Sequence, residues 1–230
     1  MSGHGYPAVF SVPQLYHFYR CLFAHFGAQH WWPGRGRFEV ILGAILTQNT
    51  NWANVEKTLR NLRRTSALSP RGLARLPRTE LARLLRPSGY FRQKTRKLEH
   101  FLRFLRQCYQ GSLSQMFRAP TARLRAELLA VNGIGEETAD SILLYAGRRP
   151  VFVIDAYTRR ILHRHRLASS AAPYRRLQKL FEDNLPRDAQ LYNEYHALLV
   201  AVGKRYCHRR APDCAACPLG PELERSYGPA

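Results

Sequence analysis

AVNGIGEETAD, residues 130–140, decides how the chain is read. Its two glycines, Gly133 and Gly135, stand two apart between LRAELLAV (124–131) and EETADSILLYA (136–146), both with helical spacing of apolar residues. Glycine reaches positive φ without a Cβ clash, so successive N–H groups can point the same way. The positive end of the second helix adds to them, and such a turn suits a phosphate. Ile134, between the glycines, is expected to plug the core under the turn. The plain alternative is an ordinary helix–helix turn closed by glycine. Two acids, Glu136 and Glu137, follow directly, in a chain with 36 Lys and Arg against 16 Asp and Glu.

That imbalance is the strongest bulk signal. A net charge of +20 over 230 residues favours a polyanion, and nucleic acid is the commonest one. The basic residues are spread over the whole chain, which argues against a polybasic membrane tail. A 45% hydrophobic and 23% charged composition describes a folded globular chain rather than a disordered one. The longest apolar run, VILGAILTQ (40–48), is too short to span a bilayer. The N-terminal MSGHGYPAVF has no charged start followed by an apolar segment, so no secretory signal is read there. The expectation is a cytoplasmic, nucleoid-associated monomer with no membrane partner.

Working outward from the turn, helical spacing recurs in LYHFYRCLFAHF, FEVILGAIL, LEHFLRFLRQC, YRRLQKLFEDN and LYNEYHALLVAV. Breakers separate these stretches at Pro33-Gly34, Ser69-Pro70, Pro87-Ser88-Gly89, Pro120, Gly147 and Pro173. RPVFVID (149–155) alone resembles a strand. The pattern predicts an all-α protein of about ten short helices.

The turn has company downstream. In PVFVIDAYTRRIL (150–162) an apolar run ends at Asp155 and a basic helix begins. A hydrophobic-x-Gly-hydrophobic-Gly hairpin, an apolar segment and then Asp resembles the DNA glycosylase superfamily that includes endonuclease III. FEVILGAILTQNTNW (38–52) resembles that family's early helix and loop, which implies that Gln48 enters the gap left by a flipped base. RPSGYFRQKTRKL (86–98) resembles its Gly-aromatic segment, which gives Tyr90 the role of a wedge in the opposite strand. GKRYCHRRAPDCAACPL (203–219) resembles its iron–sulfur loop. The resemblance spans 37–219 and implies two helical lobes. One is a six-helix barrel-like domain, 36–148, ending in the hairpin. The other joins 1–35 to 149–230 and carries the C-terminal Cys loop. Double-stranded DNA with damaged bases would lie between them, with Asp155 at the mouth. The hairpin, Gly133, Ile134 and Gly135, would hold a DNA phosphate, with a monovalent cation as a further expected ligand.

Asp155 has two compatible readings. Asp is a favoured helix N-cap. A carboxylate near C1′ also stabilises the positive charge of glycosidic cleavage and can orient or deprotonate water. Position 137 bears on the chemistry. Bifunctional members carry there a lysine that forms an imine with C1′ and nicks the strand. Glu137 cannot do this, and it suits the first turn of a helix. The remaining lysines are Lys57, Lys94, Lys97, Lys179 and Lys204.

HWWPGRGRFE (30–39) and the Trp after the loop resemble the 3-methyladenine DNA glycosylases of the same superfamily. That branch implies a base pocket of Trp31, Trp32, Trp52 and Lys204. An indole face attracts a cationic alkylated purine by roughly 0.5–2 kcal/mol. The same residues could simply pack the core.

The expected activity is therefore that of a monofunctional DNA glycosylase excising alkylated purines such as 3-methyladenine. A bifunctional glycosylase/AP lyase acting on oxidised pyrimidines and a non-catalytic DNA-binding protein stand as alternatives. Cys207, Cys214 and Cys217 have the spacing of three [4Fe–4S] ligands, but Leu223 occupies the fourth position. The cluster is lost, or His208 or Glu222 completes it, or three thiols hold something else, zinc included. Cys21 and Cys108, isolated in helical patterns, read as small buried hydrophobes.

Overall fold

Helical spacing becomes helix throughout the computed structural model, which describes residues 12–227, with side chains from 14 to 223. The N-terminal stretch read for a secretory signal, MSGHGYPAVF, falls outside the described residues. In chain order the helices are α1 (Val12–Phe26), α2 (Arg37–Leu46), α3 (Trp52–Arg64), α4 (Pro70–Arg75), α5 (Arg78–Leu85), α6 (Phe91–Tyr109) and α7 (Leu113–Met116). They continue as α8 (Thr121–Ala130), α9 (Glu136–Ser141), α10 (Ala156–Arg164), α11 (Tyr174–Glu182), α12 (Ala189–Arg205) and α13 (Gly220–Tyr227). A 3₁₀ turn, Arg86–Ser88, precedes α6, and a π turn, Ile142–Ala146, extends α9. The stretches read as helical did not include α3, α4, α7 or α13; in six-residue α4 and four-residue α7 too few turns repeat to show a period. No described helix is long and apolar enough to cross a membrane.

The chain divides into two compact units, 32–149 and 1–31 with 150–230. In the first, α2 is the central rod. Every residue from Phe38 to Leu46 is buried, as an all-round apolar helix requires. Glu39 is the charged exception, and Arg63 of α3 meets it with two hydrogen bonds, 2.9 and 2.7 Å. The bidentate guanidinium holds the Glu39 carboxyl below the usual range. Ser69 caps α4, with Pro70 following it, the arrangement that satisfies a free N–H without wasting a donor.

In the second unit, the core is aromatic. Phe152 stacks on Phe181 of α11 at 3.8 Å, and Tyr195 of α12 meets both rings edge-on. The Tyr195 hydroxyl donates to the Leu15 carbonyl of α1 at 2.8 Å, tying the N-terminal helix in. The strand expected at 149–155 does not form. Residues 150–155 form no regular secondary structure, and no strand pairs with them among the described residues. Side chains take the place of a ladder. Glu182 accepts from the Phe152 N–H at 3.1 Å, Tyr174 Oη from the Ile154 N–H at 3.2 Å, and Gln178 donates to the Phe152 carbonyl at 2.7 Å.

Candidate active site

The hairpin forms at the opening stretch. α8 ends at Ala130, the turn runs through Gly133 at φ +93°, and Gly135 caps α9. The Gly133 conformation excludes a side chain twice over: by φ, and because a Cβ would run into the Lys97 stem. Ile134 is buried beneath the turn. Arg125 of α8 makes paired bonds of 2.7 and 3.0 Å to the fully buried Asp140 of α9, locking the two helices together. Glu136 lies 3.6 Å from the same guanidinium, while Glu137 is exposed.

Gln48, at the end of α2, reaches this hairpin. Its amide donates to the Gly133 carbonyl at 3.3 Å and to Thr138 Oγ1 at 2.8 Å, and its oxygen accepts from Lys97 of α6. The candidate gap-filling residue is therefore held by three partners that its own segment did not reveal.

Tyr90 is held differently. It is 63% exposed and left-handed, at φ 44°, just before α6. For a bulky aromatic this backbone is strained. The turn beneath it is supported by Lys94, 2% exposed, whose ammonium donates to the Ser88 carbonyl at 2.5 Å. Burial, with Lys97 nearby, brings Lys94 down to about 8.

Asp155 caps α10. One carboxylate oxygen accepts from the Thr158 N–H at 2.7 Å and from its hydroxyl at 2.9 Å. The other stands 3.7 Å from His196 Nε2 on α12. Burial pushes His196 down, and the Asp155 charge partly offsets it. The carboxylate is thus fixed on one side and faces a buried imidazole on the other. His196 was not singled out in the sequence; a lone His within the apolar run LYNEYHALLVAV is its one signal.

The tryptophans separate. Trp32 lies over Gly43 of α2, where a Cβ would come within 2.8 Å of its Nε1. Trp52 meets it edge-on at 5.3 Å, and Tyr145 of the π turn stands tilted at 5.0 Å. Trp31 belongs to the other unit, with the Lys204 ammonium 5.7 Å over its ring.

Residues 42–187 match the model of the HhH-GPD superfamily of base excision DNA repair proteins. The chain belongs to this superfamily. It is 42% identical over 207 residues, 89% of this chain and 93% of the other, to the Methanocaldococcus jannaschii protein named "Putative DNA repair glycosylase MJ1434". The 3-methyladenine DNA glycosylase MagIII of H. pylori, solved with 1,N6-ethenoadenine, is 29% identical. It superposes with a TM-score of 0.73 over 85% of this chain and 98% of its own. A non-covalent endonuclease III–DNA complex shares the fold at 21% identity, with a TM-score of 0.79 over 95% and 98% of the two chains. The HhH-GPD protein described here is a DNA glycosylase of base excision repair, a hydrolase of N-glycosidic bonds.

The three thiols expected to hold a cluster in this HhH-GPD chain line one cavity. Cys207 follows α12, and Cys214 and Cys217 lie on the loop to α13. Leu223 lines the same cavity, at the position of the missing fourth thiol, and so does His165 at the C-terminus of α10. Arg164 Nη1 donates to Cys207 Sγ at 3.0 Å. Burial raises the Cys217 thiol, and Cys207 and Cys214 add to that. Three sulfurs and one imidazole around one cavity fit a four-ligand group. Of the other two cysteines, Cys108 is exposed rather than buried, and Cys21 is half-buried beside His17 at 3.4 Å.

Proposed function

We propose that the protein is a monofunctional glycosylase that removes alkylated purines such as 3-methyladenine from duplex DNA. The observation that carries this reading is the exposed carboxylate at 137, where an imine-forming amine would be needed. Of the lysines described above, Lys94 and Lys97 are engaged with Ser88 and Gln48, and Lys179 pairs with Asp183.

The residues divide the work as follows. The Gly133–Gly135 turn and the start of α9 take a backbone phosphate, with a monovalent cation as a further ligand of that turn. Tyr90 enters the stack and Gln48 turns from the hairpin to fill the vacated space. These contacts offset an unstacking cost of a few kcal/mol. Trp32, Trp52 and Tyr145 offer π faces to a cationic base, with Trp31 and Lys204 as further pocket residues. The C1′–N bond breaks with its electron pair going to the base. An N-alkylated cationic purine leaves neutral, so no acid is needed to protonate it. The Asp155 carboxylate stabilises the positive sugar, orients water for attack at C1′ and receives its proton. The 29% identity to MagIII supports this substrate class. A [4Fe–4S] group at Cys207, Cys214 and Cys217 would brace the C-terminal loop and takes no part in these steps.

The test is incubation with duplexes carrying 3-methyladenine-type, oxidised-pyrimidine or abasic sites. Excision of methylated bases is expected, with strand breaks appearing only after alkali. Nicking of abasic duplex at neutral pH with borohydride trapping overturns the monofunctional reading, and preference for oxidised pyrimidines overturns the substrate. Trp52→Ala is expected to slow excision about tenfold, the scale of one lost stacking contact.

A further inference from the structure

The cavity of the C-terminal loop is lined by His165, whose ring packs edge-on against Phe18 of α1 at 5.0 Å while one of its nitrogens has no hydrogen-bond partner. His165 is 6% exposed, and its Nδ1 is buried without a hydrogen-bond partner. A buried imidazole nitrogen with no partner forfeits its hydration for nothing, unless something occupies the space it faces. The cavity that His165 lines is lined also by Cys207, Cys214 and Cys217. We infer that His165 supplies the fourth ligand of an iron–sulfur cluster held by these three cysteines.

The other candidates are disposed elsewhere. Glu222 turns away to α1, where its carboxylate meets His17 Nε2 at 2.9 Å. His208 is exposed and does not line the cavity. Leu223 lines it but has no donor atom. A single zinc is disfavoured by the sulfur spacing. Zinc–sulfur bonds of about 2.3 Å would draw the thiols to roughly 3.8 Å apart. Among the described residues, the close triple of ligand atoms within 4.8 Å is His17, Cys21 and Glu222, not these three thiols. A wider spread is what a polynuclear group bridges. The Arg164 N–H on Cys207 Sγ is the kind of hydrogen bond that tunes a cluster sulfur.

The substitution has an electronic consequence. An imidazole in place of a thiolate removes one negative charge from the ligand set, which raises the reduction potential. Spectroscopy reads this apart from glycosylase activity. The full chain, expressed with iron and purified without oxygen, is expected to contain iron and acid-labile sulfide in equal amounts. With ¹⁵N-histidine label, the reduced cluster should show a nitrogen coupling in pulsed electron paramagnetic resonance. His165→Cys should keep the cluster, abolish that coupling and lower the potential. His165→Ala should lose most of the iron, and Leu223→Cys added to it should restore the iron, which separates ligation from folding. A wild-type protein free of iron, or holding zinc, overturns the proposal. So does a cluster without nitrogen coupling, or one unchanged in content and potential by His165→Ala.

Discussion

Asp155 and Tyr90 are held on opposite principles. Asp155 sits where a helix favours an acid: it accepts two bonds from Thr158 and its backbone is extended and relaxed. Tyr90 sits where an aromatic side chain is disfavoured on two counts, left-handed in backbone and largely exposed. The capped acid would be explained by folding alone. The exposed, strained aromatic would not, and strain of this kind collects where a side chain meets a ligand. Structural suitability would therefore conceal a functional residue at 155, while structural unsuitability would advertise one at 90.

The comparison breaks most decisively at Asp155. Asp155→Asn keeps the cap, because Asn caps about as well, and removes the charge that opposes the developing cation. Excision is expected to fall by about 10²-fold or more, roughly 2.7 kcal/mol, with unfolding free energy nearly unchanged. Near-normal excision with lost stability would make Asp155 a cap and nothing else.

The support beneath Tyr90 gives the next effect. Lys94 stands near 8 in the fold against an ordinary value of 10.5. Between those values the unfolded chain binds more protons, so this lysine makes stability rise with pH across that window, by about 2 kcal/mol between pH 8 and 10. Lys94→Met should remove that share of the pH dependence in denaturant titrations. An identical pH slope in the variant would show that Lys94 titrates normally.

Tyr90→Gly tests the strain itself and has the smallest expected effect on the fold. Relief of the left-handed backbone should leave stability unchanged or raise it by up to about 1 kcal/mol, while excision from duplex DNA slows. Destabilisation with unimpaired excision would place Tyr90 with the ordinary packing residues.

Legibility in the sequence follows the range of the forces involved. Helical class and the hairpin were readable because apolar spacing and glycine conformation are local. The Asp155 cap was readable because its partner is Thr158, three residues on. RPVFVID was misread because β-branched and aromatic residues suggest a strand, whereas its polar groups are satisfied by Tyr174, Gln178 and Glu182, at least twenty residues away. His165 was passed over for a similar reason. In RILHRHRL it looks like part of a basic surface, yet it turns inward while His163 turns out. The grip of Lys97 and Thr138 on Gln48 joins segments 49 and 90 residues apart, beyond the reach of any motif.

The Arg125–Asp140 pair has a consequence for how such a site can diversify. It fastens α8 to α9 from below, through fully desolvated atoms on Asp140, and leaves the solvent-facing mouth of the turn outside the frame. Position 137 lies on that outer side. Exchanging its acid for a base gives up the helix-end preference, roughly 0.3–1 kcal/mol. Glutamate and lysine codons differ by a single nucleotide. On the proposed reading, a lineage would cross between hydrolytic and imine-forming reactivity at this residue in one mutational step, with the architecture around the turn inherited intact.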